Sequence, residues 1–189
     1  MINNITGVTE RFLRYVSVDT QSLDEQEQIP STEKQLKLAA MLKEELEDMG
    51  VSGVRMDEHG YVYGYIPANT DKKFPAVGFI SHIDTAPAAP GANIKAKIVK
   101  NYDGKAILLN EQTGQTLDPV QYPELLDYVG QDLITTDGTT LLGADVAAML
   151  RLMVVTSLPM SIKKSIRLRV RGPRRWWWWK VPVCWALLR

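Results

Sequence analysis

The chain has 189 residues, 45% apolar and 23% charged, with 22 Lys and Arg balancing 22 Asp and Glu. This is the composition of a globular protein with a core, not of a disordered, collagenous or disulfide-stapled one. Its one cysteine, Cys184, excludes a disulfide framework and a cysteine-based zinc cluster. The zero net charge is a sum of two unlike parts, since residues 1–145 carry 12 basic and all 22 acidic residues, whereas residues 146–189 carry 10 basic residues, no acid and all five Trp.

The N-terminal stretch "MINNITGVTERFLRYVSVDTQS" has no basic-then-apolar signal pattern. Residues 8–17 have helical spacing, with Phe12, Leu13 and Val16 on one side, and a polar loop follows through "VDTQSLDEQEQIP". A second helix is predicted after Pro30. Thr32 and Gln35 have capping-box spacing, Ala39, Leu42, Leu46 and Met49 recur at steps of three and four, and Gly50 stands at the natural stop. That apolar face is expected to pack on a sheet.

"VSGVRM" and "YVYGYIP" flank "DEHG", which predicts a hairpin with Gly60 in its turn. "FPAVGFISHIDT" is apolar from Ala76 to Ile80 and turns polar at Ser81, the pattern of a buried central strand that delivers polar groups to a sheet edge. Residues 90–130 alternate short β-like runs with turns, and "DLITTDGTTLLGAD" reads as strand, turn, strand and a loop at Gly143. The longest apolar run, "VAAMLRLMVVTSLPM", is interrupted by Arg151 and too short to cross a bilayer, so a cytoplasmic location is expected. Mixed helices and strands without repeats predict an α/β fold.

Two stretches could carry chemistry. In His82-Ile83-Asp84 the imidazole and the carboxylate share one face of a strand end. A carboxylate beside a metal-ligating histidine fixes its tautomer and raises its basicity. Asp145 follows Gly-Ala in a tight loop, and a carboxylate there can bridge two cations. Alone, the first pattern is more often a structural or surface pair, and the second more often a turn or helix cap, than a ligand.

Taken with their surroundings they are more specific. "RFLRYVSVDTQS", "IPSTEKQ", "GFISHIDTAP" and "LITTDGTTLLGAD" occur in the order found in the peptidase T family of tripeptide aminopeptidases, and the chain resembles that family over residues 9–145. The resemblance implies the N-terminal part of a mixed-sheet α/β zinc-peptidase catalytic domain. It implies a site with two zinc ions in which His82 is a ligand, Asp84 is the catalytic partner that orients it, and Asp145 bridges both metals. Small peptides, above all tripeptides, are the implied partners, with neither nucleic acid nor membrane among them. The residues that grip the peptide are not identifiable from the sequence.

The same resemblance ends at Asp145. The family pattern continues into a second Asp and K-A-G, then a P-D-E-E stretch with the general-base Glu, a further ligand Asp and a distal His. This chain has Val146-Ala147-Ala148, no later acid, and one other histidine, His59, which precedes His82. The inserted dimerisation domain also lacks a counterpart, so homodimerisation through it is not expected. Residues 1–145 are therefore expected to be an incomplete catalytic domain, and residues 146–189 a basic Trp-rich tail that is out of frame and unstructured or poorly folded. Trp has a single codon, so Trp176–Trp179 require four UGG triplets, which a one-base shift turns into glycines or valines. With CGA codons at Arg174 and Arg175, the same shift makes "PRRWWWW" read as Pro-Asp-Asp-Gly-Gly-Gly. Little or no peptidase activity is expected from this polypeptide alone. The alternative is a selected tail, because "SIKKSIRLRVRGPRRWWWWKVPVCW" interleaves cations with Trp as binders of anionic membranes or nucleic acid do.

Overall fold

The computed structural model describes residues 7–68, 71, 73, 75–143 and 183–188. Helix α1 (Val8–Val16) leads through the polar loop to α2 (Lys34–Asp48). Both predicted helices form. The periodic face of α2 buries Leu38, Ala39, Leu42 and Leu46, and Met49 packs beside them. Each fully buried Leu contributes roughly 1.5–3 kcal/mol over an exposed one. Gly50 ends α2 at φ +71°, where the Val51 and Gly50 amides donate to the carbonyls of Leu46 and Glu47. That pair of bonds needs a left-handed residue at position 50, which glycine supplies without strain.

The capping box does not form. Glu33 stands at the N-cap in helical conformation without a side-chain cap. The Gln35 amide instead donates to the hydroxyls of Thr32 (3.1 Å) and Ser31 (3.2 Å), and Thr32 Oγ1 donates to the Gln21 carbonyl (2.9 Å). These side chains tie the start of α2 to the preceding loop rather than to the helix's own amides.

Strands β1 (Ser52–Met56) and β2 (Val62–Ile66) pair antiparallel across the predicted hairpin. Asp57 Oδ1 accepts the amides of His59 and Tyr61, and Gly60 takes φ +79° in the turn. Strand β3 (Val77–His82) joins them only through β8 (Val183–Leu188), which lies between β2 and β3, parallel to the former and antiparallel to the latter. The sheet order is β1-β2-β8-β3, a mixed sheet.

The expectation of a buried central strand at 76–80 is corrected. Among the described residues strand β3 is at the sheet edge, and Ile80 is 51% exposed. Among the described residues, α1 and α2 pack against Val62 and Ile83 on one face of the sheet, where Ile66 and Ser81 are also buried, while Tyr63, Tyr65 and Ile80 stand on the other face. Nine buried residues, Tyr15, Val16, Val18, Leu38, Ala39, Leu42, Leu46, Val62 and Ile83, form one core between α1, α2 and the sheet.

Beyond residue 85 the chain makes smaller units. Strand β4 (Lys97–Val99) pairs antiparallel with β7 (Leu133–Thr135), and β5 (Ile107–Asn110) with β6 (Gln115–Leu117). A 3-10 turn spans Pro123–Tyr128. The second strand expected after the Asp137-Gly138 turn is absent. Thr136 Oγ1 donates to the Thr140 carbonyl, and the Leu141 amide donates to the Pro90 carbonyl at 3.2 Å. The segment thus pairs with a distant loop rather than folding back on β7.

Candidate metal-ligand site at the end of β3

Ile83 anchors the site. Its side chain is buried in the core (3% exposed), so by strand alternation His82 and Asp84 both project from the opposite side. His82 Nδ1 lies 3.0 Å from Asp84 Oδ1 and 3.1 Å from the Asp84 carbonyl oxygen. A carbonyl oxygen only accepts, so Nδ1 carries the proton and the lone pair of the neutral ring lies on Nε2. Asp84 is buried, with a side chain 9% exposed, whereas that of His82 is 35% exposed. The pair therefore presents a ring that is oriented from behind and reachable from outside.

Three segments are joined by hydrogen bonds just beyond this pair: residues 19–22, residues 85–91 and the 136–143 loop. After α1, the Thr85 amide donates to the Thr20 carbonyl (3.1 Å), and the Ser22 amide and hydroxyl both donate to the Thr85 carbonyl (2.9 Å each). Gln21 Nε2 donates to the carbonyls of Ala89 (2.8 Å) and Pro87 (3.2 Å). Asp19 Oδ1 accepts the Gln21 amide (3.0 Å), and its Oδ2 meets Lys34 Nζ (2.9 Å). Burial works to raise the Asp19 pKa, but the amide and the ammonium outweigh it and hold the carboxyl below its ordinary range. Gly91 closes the group. A Cβ there would lie 3.0 Å from both Asp19 Oδ1 and Thr85 Oγ1, so the loop passes where a side chain would not fit.

The third segment is the 136–143 loop, brought to Pro90 by the Leu141 amide. Its turn is held by Asp137, whose carboxylate accepts both the hydroxyl and the amide of Thr139 and meets Lys95 Nζ at 3.1 Å. Those Thr139 bonds, then Lys95, lower the Asp137 pKa to about 2. Gly143 is the last described residue of this loop, and Asp145 lies outside the described residues.

The sequence singled out His82 and Asp84 as candidates, and their side chains are in contact. It gave no separate role to Asp19, Gln21, Ser22 or Thr85, although the unbroken polar run "DTQS" was the available signal. The imidazole, with its Nδ1 proton held by a carboxylate, has the form of a metal-ligating histidine and its orienting partner. Among the described residues no three His, Cys, Asp or Glu side chains converge on one point. A single oriented imidazole fits one corner of a metal site, not a complete one. Also among the described residues, no helix is long and apolar enough to cross a membrane.

Comparison with known proteins gives a consistent set of relatives. The chain is 57% identical over 141 residues to peptidase T of Desulfitobacterium hafniense strain Y51, a match covering 75% of this chain and 34% of that protein. It is 55% identical over 138 residues to the peptidases T of Clostridium acetobutylicum and Aliivibrio fischeri, covering 73% of this chain and 34% of each relative. No family model matches. The chain therefore resembles peptidase T over about three-quarters of its length and spans about a third of the length of these relatives.

Proposed function

We propose that residues 1–145 are the N-terminal part of the catalytic domain of a cytoplasmic zinc-dependent aminopeptidase acting on tripeptides, and that this 189-residue polypeptide is inert by itself. The observation that carries the reading is the His82–Asp84 pair, with Nδ1 held at 3.0 Å by a buried carboxylate, in a chain 57% identical to a peptidase T. In this reading His82 would offer Nε2 to a zinc ion, Asp84 would hold the Nδ1 proton, and Asp145 would share its two oxygens between two ions. Zinc, when bound, supplies an acidified and nucleophilic water for attack on a peptide carbonyl.

Inertness follows from counting donors. A catalytic zinc takes three protein ligands and an open position. Residues 146–189 contain no Asp, Glu or His, so the sequence after the bridging position offers neither a further carboxylate or imidazole ligand nor a general base. We read this tail as the product of a shifted reading frame. Six of its residues nonetheless pair as β8. The slot between β2 and β3 bonds through the main chain, which asks only for an extended segment, and "VCWALL" is apolar and uncharged. The anion-binding alternative has only the composition of the tail behind it.

The test is an assay of the purified polypeptide with tripeptides and added Zn²⁺, Mn²⁺ or Co²⁺, read as release of the N-terminal residue. Release no faster than in the metal-only blank is expected, and turnover would overturn the inert reading. The nucleotide sequence from codon 140 onward checks the tail. A one-base shift that restores the acidic stretch and a distal histidine supports the shifted frame, and its failure to do so in any frame refutes it.

A further inference from the structure

The two ends of one peptide unit link His82 to a segment more than 60 positions away in sequence. The Asp84 carbonyl accepts from His82 Nδ1 at 3.1 Å, and the Thr85 amide of the same planar unit donates to the Thr20 carbonyl at 3.1 Å. The next unit is fixed as well, because the Thr85 carbonyl accepts both the amide and the hydroxyl of Ser22. Between them, Gln21 sends its amide nitrogen across to the Pro87 and Ala89 carbonyls, holding the loop that leaves the site. Gln21 is itself held by its own amide on Asp19 and by its carbonyl on Thr32.

We propose that residues 20–22, with Gln21 as the anchoring side chain, are the positioning element that orients the His82 imidazole through the Asp84–Thr85 peptide. Only the description of His82 as a metal ligand rests on the function proposed above; the relay itself rests on hydrogen-bond geometry. A planar peptide cannot turn its carbonyl without turning its amide, so Thr20 sets the direction of one of the two acceptors facing Nδ1. The Gln21 side chain keeps the downstream loop from pulling that peptide round. Gln21 touches no reacting group in this arrangement, and it acts through the Asp84–Thr85 unit.

The chain has two histidines, which makes the test direct. In the ¹⁵N-labelled full chain at a pH about two units above the ordinary imidazole pKa of ~6.5, long-range ¹H–¹⁵N spectra report the tautomer of each ring. Wild-type His82 is expected to show a protonated Nδ1 and an unprotonated Nε2. In Gln21→Leu the two ¹⁵N shifts of His82 are expected to move toward each other, while those of His59, on the β1–β2 turn, stay fixed. Ser22→Ala, which removes one of two bonds to Thr85, should give a smaller change in the same direction. A folded Gln21→Leu chain with unchanged His82 shifts would overturn the proposal, even if its Tm fell, since that is what a purely structural role produces. Should Gln21→Leu fail to fold, Gln21→Asn, which keeps the amide but falls short of both carbonyls, is read by the same criterion. Adding Zn²⁺ alone to the wild-type chain separates the two readings. A His82 ring that responds to Gln21 but not to Zn²⁺ sinks the ligand reading and keeps the relay, and the reverse result sinks the relay.

Discussion

Residues 7–85 and residues 86–143 are held together in different ways. The first region closes a core: ten of the twelve buried apolar side chains among the described residues belong to it, including all four on α2. The second contributes only Tyr102 and Ile107 to that set, and exposes Val120, Tyr122, Leu126, Tyr128 and Val129. What it has instead is turn chemistry, with Asp103, Asn110, Asp118 and Asp137 each accepting a backbone amide two residues ahead. The candidate site stands where the two regions meet. His82 and Asp84 flank Ile83, which is buried in the core, and the 136–143 loop is held by its own turns. The end of β3 is therefore set by apolar burial and the 136–143 loop by local hydrogen bonds.

The largest expected effect separates the regions by core deletion. Leu42→Ala should destabilise the chain by about 2–5 kcal/mol, whereas Val120→Ala, at a side chain 89% exposed, should stay within about 0.5 kcal/mol. Urea unfolding measures both, and equal losses would mean that the second region holds a core of its own. Next comes Gly138→Ala. Gly138 has φ +75° and a Cβ there would meet Gln115 Oε1 at 2.3 Å, so left-handed strain of roughly 1–2 kcal/mol adds to a displaced side chain. Faster amide exchange confined to residues 136–141 is the expected readout, and protection lost throughout α2 would deny the separation.

Ile83→Val is a smaller change at the junction, expected to cost about 0.5–1.5 kcal/mol in urea unfolding. It should leave the Asp137 turn untouched, as the titration of Asp137 would show. The smallest effect is that titration itself. The folded Asp137 pKa of about 2 lies below its ordinary 3.8, so the turn's contribution is fully present above pH 3.8 and is lost as the pH falls through about 2. An NMR carboxyl titration gives the midpoint directly. Lys95→Ala should raise it only modestly, because the Thr139 bonds rank ahead of Lys95 as its cause.

Periodicity made the first region legible. Steps of three and four placed α2 and its buried face, and Gly60 marked the hairpin, because local sequence and burial agree there. The edge position of β3 was not legible. An apolar run looks the same whether a second layer covers the sheet or not, and which strand lies beside it depends on residues 183–188, a hundred positions later. The Thr32–Gln35 pair misled for a related reason: both side chains found partners in the 21–31 loop instead of the helix's first turn.

By itself the sequence determined which residues could act. It marked the H-x-D pair on one strand face and the abrupt loss of acids after Asp145, since residue type and period-two alternation are local properties. Only the tertiary structure decided how His82 is held. The Asp84–Thr85 peptide meets Thr20, and Pro90 meets Leu141, because the chain returns to the end of β3 from both directions. Hydrogen bonds between segments about 50 to 65 residues apart leave no trace in the spacing of either segment. They exist because the buried polar groups beside the core must find partners, and those loops supply the nearest ones.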